Sequence, residues 1–307
     1  MDKKRTAIID GDIIVYRAGF VSQTNTHKVK DQTGDVLEEF SSKAEANDFV
    51  EMLSLQENVT PIIESEIVPL SHDDADKIVD TMIKGIVTNT NSTDYIVYLS
   101  GKTNFRNQVA TIREYKGNRS DSVRPIHYEY IRDYIADKHP TIVSDNCEAD
   151  DLCAMRLYDE FKKAKASKRK SDCEAILCSI DKDLRNIPGH HYNIATKVSD
   201  WVSPKEANRH FAMQLLTGDS TDNIPGISYF SDKKKKIGKK TAEKMIGEAG
   251  TIEELYEVVI DIYQEWAGEN WEAKLQEVGS LLWMQRQPEE VFNISEWAES
   301  CTNKEHL

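Results

Sequence analysis

The sequence predicts an α/β fold, a parallel sheet flanked by helices, with a purely helical part after it. Three observations lead there. Apolar runs of strand length, Ala7-Ile8-Ile9, Asp94 to Leu99 and Ala175 to Ile180, are separated by stretches of helical periodicity. The first run ends in Asp10 and the third is closed by Asp181. In open parallel sheets the ligand crevice lies beyond the carboxyl ends of the strands, where such acids would stand. From Ser203 onward only helical patterns follow.

Taken in order, residues 5–20 read as a buried strand, a turn at Asp10-Gly-Asp12 and a helix from Ile13 to Phe20. Arg17 on that helix reads equally as a partner of the carboxylates and as a solvated arginine. Residues 27–40 alternate around Gln32-Thr-Gly34, a hairpin signal. Ser42 and Glu45 form a capping-box pattern that opens a helix to about Leu53. Residues 54–72 look irregular. Asp73 to Val87 is a helix, with Ile78, Met82 and Ile86 on one stripe. Tyr128 to Lys138 and Asn146 to Lys165 are helices. Ser203-Pro204 supplies the cap and first turn of a helix to Leu216. Residues 251–285 are helical until Pro288, and the last residues read as a loose tail. This gives a core over 1–200, with an insertion at about 21–72 and a basic, polar region at about 100–140. A helical part at 201–290 and a tail at 291–307 complete the chain.

Four acid motifs stand out: Asp10-Gly-Asp12, Glu148-Ala-Asp150-Asp151, Asp181-Lys-Asp183 and Gly218-Asp219-Ser-Thr-Asp222. Acids at strand ends and helix starts are often plain caps and solvated turns. Four motifs with the same placement argue for convergence. Crowded carboxylates repel one another, so divalent cations are their natural counter-charge. Oxygen-only ligation suits Mg²⁺ or Mn²⁺, and paired ions roughly 3.5–4 Å apart are the usual apparatus of phosphodiester hydrolysis. His190-His191 has no third soft ligand nearby and reads as ordinary strand or surface.

Composition narrows the class. The 307 residues are 39% hydrophobic and 30% charged, as in globular proteins. No apolar run approaches the ~18 residues of a membrane span, and the amino terminus does not read as a signal peptide. Five cysteines without a Cys-x-x-Cys pair point to reduced thiols in a cytoplasm, with Cys153 and Cys178 as small buried hydrophobes. The net charge of −14 seems wrong for a nucleic-acid partner, but it is unevenly spread. Residues 248–307 hold 14 acids against 3 Lys/Arg, whereas 101–126 hold 6 basic and 2 acidic groups and 227–247 hold 7 Lys and 2 acids. Basic patches on an acidic body can still bind phosphates.

Glu148-Ala-Asp-Asp151, Ser179-Ile-Asp-Lys-Asp-Leu184 and Gly218-Asp-Ser-Thr-Asp-Asn-Ile-Pro-Gly226 resemble the phage and bacterial 5′→3′ exonuclease / flap endonuclease family. Glu114-Tyr-Lys-Gly-Asn-Arg119 and Ile237-Gly-Lys-Lys-Thr-Ala242 resemble it too, and Asp10-Gly-Asp12 is similar to the phage exonuclease branch. The resemblance covers about residues 5–20 and 94–285. It implies a PIN-like (resolvase-like) nuclease sheet, an arch-like segment within 100–140 and a helix-hairpin-helix after residue 201. It implies two Mg²⁺ ions, replaceable by Mn²⁺. Asp10, Glu148, Asp150 and Asp151 would hold the first, and Asp181, Asp183, Asp219 and Asp222 would surround the second. It places Lys116 and Arg119 at the scissile phosphate, with Asp10 among the catalytic groups. Arg113, Tyr115, Lys116 and Arg119 would meet DNA. So would Lys233, Lys234, Lys235, Lys236, Gly238, Lys239, Lys240 and Thr241, where the family implies a K⁺ ion. The expected partner is DNA with 5′ ends or flaps, or an RNA–DNA hybrid, acted on by a monomer with no membrane contact. One departure stands out: where the family places an acid just after the second strand, this chain has Ser100-Gly101-Lys102, and Asp12 is the available substitute. An aspartyl-phosphate phosphatase also begins strand-Asp-x-Asp, but it needs one Mg²⁺ and leaves Glu148-Ala-Asp-Asp151 and the lysine run unused. A non-catalytic DNA-binding protein would not need the acid set.

Overall fold

The computed structural model describes residues 4–54, 60–119, 123–231 and 237–300. Strand β1 (Thr6–Asp10) and helix α1 (Gly11–Val21) come first. Then follow β2 (Gln23–Lys30), β3 (Val36–Phe40), α2 (Lys43–Ser54), β4 (Ile62–Pro69) and α3 (His72–Asn89). Next are β5 (Asp94–Leu99), the single turn α4 (Arg106–Val109), α5 (Tyr128–Lys138), β6 (Thr141–Val143) and α6 (Ala149–Ser167). Strands β7 (Ala175–Ser179), β8 (Gly189–Asn193) and β9 (Val198–Val202) follow. The chain continues in α7 (Pro204–Thr217), α8 (Lys239–Ile246), α9 (Ile252–Ala267), α10 (Trp271–Leu282) and α11 (Ile294–Ser300). No helix among the described residues is long and apolar enough to cross a membrane.

The chain forms two compact units. The first comprises Met1–Ile13, Gly85–Ser122 and Lys138–Leu307. Its six-stranded sheet has the order β6-β5-β1-β7-β8-β9, parallel except for the antiparallel edge strand β9. Ile8 of β1 lies opposite Ile96 of β5 and Leu177 of β7. Ala7, Ile8 and Ile9 are fully buried, as a central parallel strand demands. Helix α6 packs Ala149, Cys153, Ala154 and Leu157 into one cluster with Ile8 and Leu177. Cys147, Cys153, Cys173 and Cys178 are free and buried, as small hydrophobes.

The helices after residue 203 have their own core, built on Phe211, Leu215, Val259, Tyr263, Leu275 and Val278. Ser203 caps α7 with Glu206 reaching back to the Ser203 N–H (2.8 Å), and Pro204 occupies the first turn. These helices nevertheless belong to the same compact unit as the sheet, so the division does not fall near residue 200. Two expectations about this region are corrected. The helical stretch 251–285 is split by Gly268 and ends at Leu282, before Pro288. Within the described part of the tail, Ile294–Ser300 forms α11, which buries Trp297 against Phe211 and Phe292. An amphipathic signal seven residues long is too short to be read as a helix without its packing partner.

The second unit comprises Ile14–Lys84 and Val123–Asp137. It holds a three-stranded antiparallel sheet, β3-β2-β4. Asp31 organises the β2–β3 turn, its Oδ1 accepting the N–H groups of Thr33 (2.8 Å) and Asp35 (3.0 Å). Residues 62–69, expected to be irregular, pair with the whole of β2. Most of β4 is exposed, so backbone pairing rather than a buried face holds it, and it leaves little hydrophobic pattern to read. Tyr130 and Tyr134 of α5 donate to Asp76 (2.9 Å) and Asp80 (3.0 Å) of α3. Arg17 lies exposed on α1.

Candidate active site

The acids gather at the carboxyl end of the first unit's sheet. Asp10, the last residue of β1, is almost fully buried. Ser179, the last residue of β7, donates its hydroxyl to Asp10 Oδ2 at 2.6 Å and accepts the Asp181 N–H at 2.9 Å. One hydroxyl thus fixes the spacing of two acid-bearing strand ends. Burial, then the neighbouring Asp12, raises Asp10 to about 7. Burial, then the charges of Asp10, Asp181 and Glu148, pushes Asp150 well above the usual carboxylate range. Asp150 Oδ1 is buried with no hydrogen-bond partner. Asp181 is raised, first by burial. Burial and then Asp181 lift Asp183 to about 8, although Gln214 donates to its Oδ1 at 2.6 Å.

The remaining acids are held by cations. Lys116 donates to Glu148 Oε1 and lies 3.7 Å from Asp222 Oδ2, and Arg119 donates to Asp222 Oδ1. Lys182 donates to Asp219 Oδ2 at 2.7 Å. Burial works against the charge on Asp219, yet this bond and the Thr221 N–H bring its pKa below the ordinary value. Asp12 accepts the Ser100 N–H through both oxygens, at 3.2 and 3.3 Å. Ser100 in turn accepts the Ala149 N–H at 2.9 Å. Where the family pattern has an acid, a serine therefore ties Asp12 to the start of α6.

Two loops are stitched together beside these acids. The Lys116 N–H bonds Asp222 O (2.9 Å), Asn118 Nδ2 bonds Ser220 O (2.7 Å) and Asn223 Nδ2 bonds Glu114 O (2.8 Å). Lys116 itself adopts φ 57°, a left-handed conformation that these bonds must hold. The second loop is closed by two glycines in contact. Gly218 has φ 66°, and a Cβ there would meet Gly226 N at 2.3 Å.

The structure relocates two of the expected site residues. Tyr115 was expected to meet DNA, but it is only 7% exposed and packs with the helical core. Its hydroxyl donates to Glu148 Oε2 (2.8 Å) and Asp222 Oδ2 (2.9 Å), so it spaces acids rather than facing a ligand. Asp151 was expected to bind metal, but Arg106 takes both its oxygens, Nη1 to Oδ2 at 2.6 Å and Nη2 to Oδ1 at 2.8 Å. Arg113 is exposed and its guanidinium lies over the Tyr229 ring at 5.6 Å. Gly238, Lys239 and Lys240 are exposed at the start of α8, next to Thr241. Lys233, Lys234, Lys235 and Lys236 lie outside the described residues. His191 is buried in β8 and bonded to Ile187 O at 2.8 Å, as a strand histidine.

Sequence reasoning missed Arg106, Gln214 and the role of Lys182. Only Lys182 left a signal, a lone cation between two aspartates. Among the described residues no three His, Cys, Asp or Glu side chains close into a ready-made ligand cage. Lysines and arginines hold four of the acids, Glu148, Asp151, Asp219 and Asp222. Of the other four, Asp10 and Asp183 are buried and Asp150 and Asp181 partly buried; Lys182 Nζ lies 4.0 Å from Asp183, and all four offer oxygen donors. That donor set fits a hard divalent cation.

No family model matches the chain. Among curated proteins it is 29% identical over 180 residues to a 5′–3′ exonuclease of Buchnera aphidicola (subspecies Acyrthosiphon pisum), covering 52% of this chain and 54% of that one. It is 25% identical over 190 residues to DNA polymerase I of Bacillus caldotenax, covering 55% of this chain and 19% of the polymerase. It thus spans about half the length of the former and a fifth of the latter. A structure of the bacteriophage T5 flap endonuclease, a variant complexed with DNA and metal ions, superposes with TM-score 0.54 at 15% identity. That match covers 97% of this chain and 98% of the other. The T5 5′-exonuclease with bound zinc gives TM-score 0.51 at 16% identity, over 97% and 98% of the two chains. In sequence this chain is therefore similar to 5′–3′ exonucleases and to DNA polymerase I over about half of its length, and its α/β fold resembles that of the bacteriophage T5 flap endonuclease.

Proposed function

We propose that this chain is a divalent-metal-dependent nuclease, a 5′→3′ exonuclease and 5′-flap endonuclease acting on DNA. The carrying observation is the group of Asp10, Asp150, Asp181 and Asp183. Three chain segments contribute these buried or partly buried acids, and each acid has its pKa raised above the ordinary value. Burying like charges costs free energy that a bound cation offsets. In this reading these four residues hold Mg²⁺, with Mn²⁺ as a substitute. Glu148, Asp219 and Asp222 face the same ions from the cationic side of the site. Two such ions supply an activated water and charge stabilisation for an in-line displacement.

The chain's own residues do the rest. Lys116 and Arg119, now bonded to Glu148 and Asp222, are the cations that can exchange an acid for a phosphate oxygen. Ser179 and Gln214 fix Asp10 and Asp183 in orientation. The exposed start of α8, Gly238 to Thr241, suits contact with backbone phosphates and a K⁺ ion. Gel assays on 5′-labelled flap, duplex and RNA–DNA hybrid substrates test the proposal. Cleavage should vanish in EDTA and return with Mg²⁺ or Mn²⁺. Asp183→Asn should abolish cleavage yet keep DNA binding in Ca²⁺. Full activity in EDTA would overturn the metal-dependent reading, and the hybrid arm decides whether RNA is also cut.

A further inference from the structure

We propose that Asp151 is the counter-ion of Arg106 rather than a metal ligand, and that this buried pair aims the start of α6 into the acid cluster. The inference rests on the nuclease reading for its consequence, but its geometry stands apart from it, and every residue lies in the first compact unit.

Arg106 is completely buried. Its fork meets both Asp151 oxygens, Nε donates to Leu281 O at 3.0 Å, and Nη2 also donates to Trp283 O at 2.7 Å. Leu281 belongs to the last turn of α10 and Trp283 follows it, where helix carbonyls lack intrahelical partners. A cation there also complements the helix dipole. Asp151 is equally committed. Oδ1 accepts from Arg106 and from the Gln285 N–H (3.2 Å), and Oδ2 accepts from Arg106 and from the Glu148 N–H (3.1 Å). A carboxylate offers about four lone-pair sites, and four donors fill them. None is left for a metal ion.

The contrast with Asp150, one residue earlier, is direct. Asp150 Oδ1 is buried and unpartnered. Successive helix residues are about 100° apart, so when Arg106 fixes Asp151, Asp150 and the Glu148 cap turn toward the acids of β1 and β7. Arg106 is thus a positioning residue. It also makes the end of α10 part of the site's support, so the helical region after residue 203 cannot be detached without loosening α6.

The test compares Arg106→Met, Asp151→Leu and the combined variant, read by thermal melting and by Mn²⁺ binding followed by electron paramagnetic resonance. Neither readout needs cleavage, so this inference and the nuclease reading can fail separately. Each single variant leaves one buried charge unpaired, so each should melt lower and bind Mn²⁺ about 10–100-fold more weakly. The combined variant replaces the pair by apolar groups of similar size and should recover most of both losses. If Asp151 is instead a ligand, the losses will add within a factor of about 2 and the combined variant will be the worst of the three, which overturns the proposal. Should the single variants not fold, the combined variant decides alone: near-native Mn²⁺ affinity supports the proposal and its loss overturns it. Arg106→Lys keeps the charge but loses the fork. It should lower kcat by about 10-fold or more with KM little changed. Wild-type kcat in that variant would also overturn the proposal.

Discussion

Replacing Lys116 with Met removes the cation between Glu148 and Asp222. The ammonium lies 3.7 Å from Asp222 and bonds Glu148 directly, and its side chain is 28% exposed. Each such pair is worth about 4 kcal/mol of attraction at an effective dielectric of 20, before the desolvation it offsets. Removing one partner of a largely buried pair typically costs ~3–5 kcal/mol, and partial exposure puts this site at about 3 kcal/mol. For a chain of this size that corresponds to a fall in Tm of roughly 6 °C. The sign reverses with a divalent cation present, because two acids lose their internal competitor. Ca²⁺ or Mn²⁺ should therefore raise the Tm of Lys116→Met more than that of the wild type, by linkage. Turnover should fall nonetheless, since the lysine is also the group proposed to meet the phosphate. Melting curves in EDTA and over a Ca²⁺ series check this. If the variant melts like the wild type in EDTA and gains nothing extra from Ca²⁺, Lys116 does not balance these acids.

Three further outcomes follow from particular geometry. Gly218→Ala combines a glycine-only backbone conformation with a Cβ 2.3 Å from Gly226 N, and should cost about 3 kcal/mol or more in urea unfolding while displacing Asp219 and Asp222. A stable variant with normal cleavage would show that the loop has another way to close. His191, beside Arg185 and Asp200, is lowered to about 4, chiefly by burial. The unfolded chain takes up that proton as pH falls through about 6.5 while the folded chain does not until about 4. Stability is therefore complete above that window and lost across it, by up to about 3 kcal/mol. His191→Gln should flatten the pH dependence of the urea midpoint between pH 6.5 and 4, and parallel curves would refute the burial argument. Replacing exposed Lys239 and Lys240 with Ser should lower the slope of log affinity against log salt on duplex DNA by up to about 2 units, with turnover at saturation preserved. An unchanged slope would place the phosphate contacts elsewhere.

The sequence by itself determined the α/β class, the two central strands and the identity of most of the acids. Ala7-Ile8-Ile9 and Ala175 to Ser179 are buried on both faces, so they are nearly continuous apolar runs, and the acid at each carboxyl end is visible one or two residues later. Gly218 and Gly226 were legible as parts of a motif for a similarly local reason: only glycine permits that backbone contact. What tertiary structure alone decided is which acids are free. Asp150 and Asp151 are adjacent and chemically identical, yet one oxygen of the first is unpartnered while the second is fully committed to Arg106. That difference comes from a residue 45 positions upstream and from helix-end carbonyls at Leu281 and Trp283. Tyr115 likewise reads as an aromatic in a basic loop, and only packing turns its ring inward and its hydroxyl toward two acids. Strand β4 and helix α11 were missed because pairing with β2 and burial of Trp297 hold them, and neither leaves a periodic signal in so short a segment. Local pattern records what a residue does to its own backbone, whereas the balance of charge at the site depends on partners that folding brings from far along the chain.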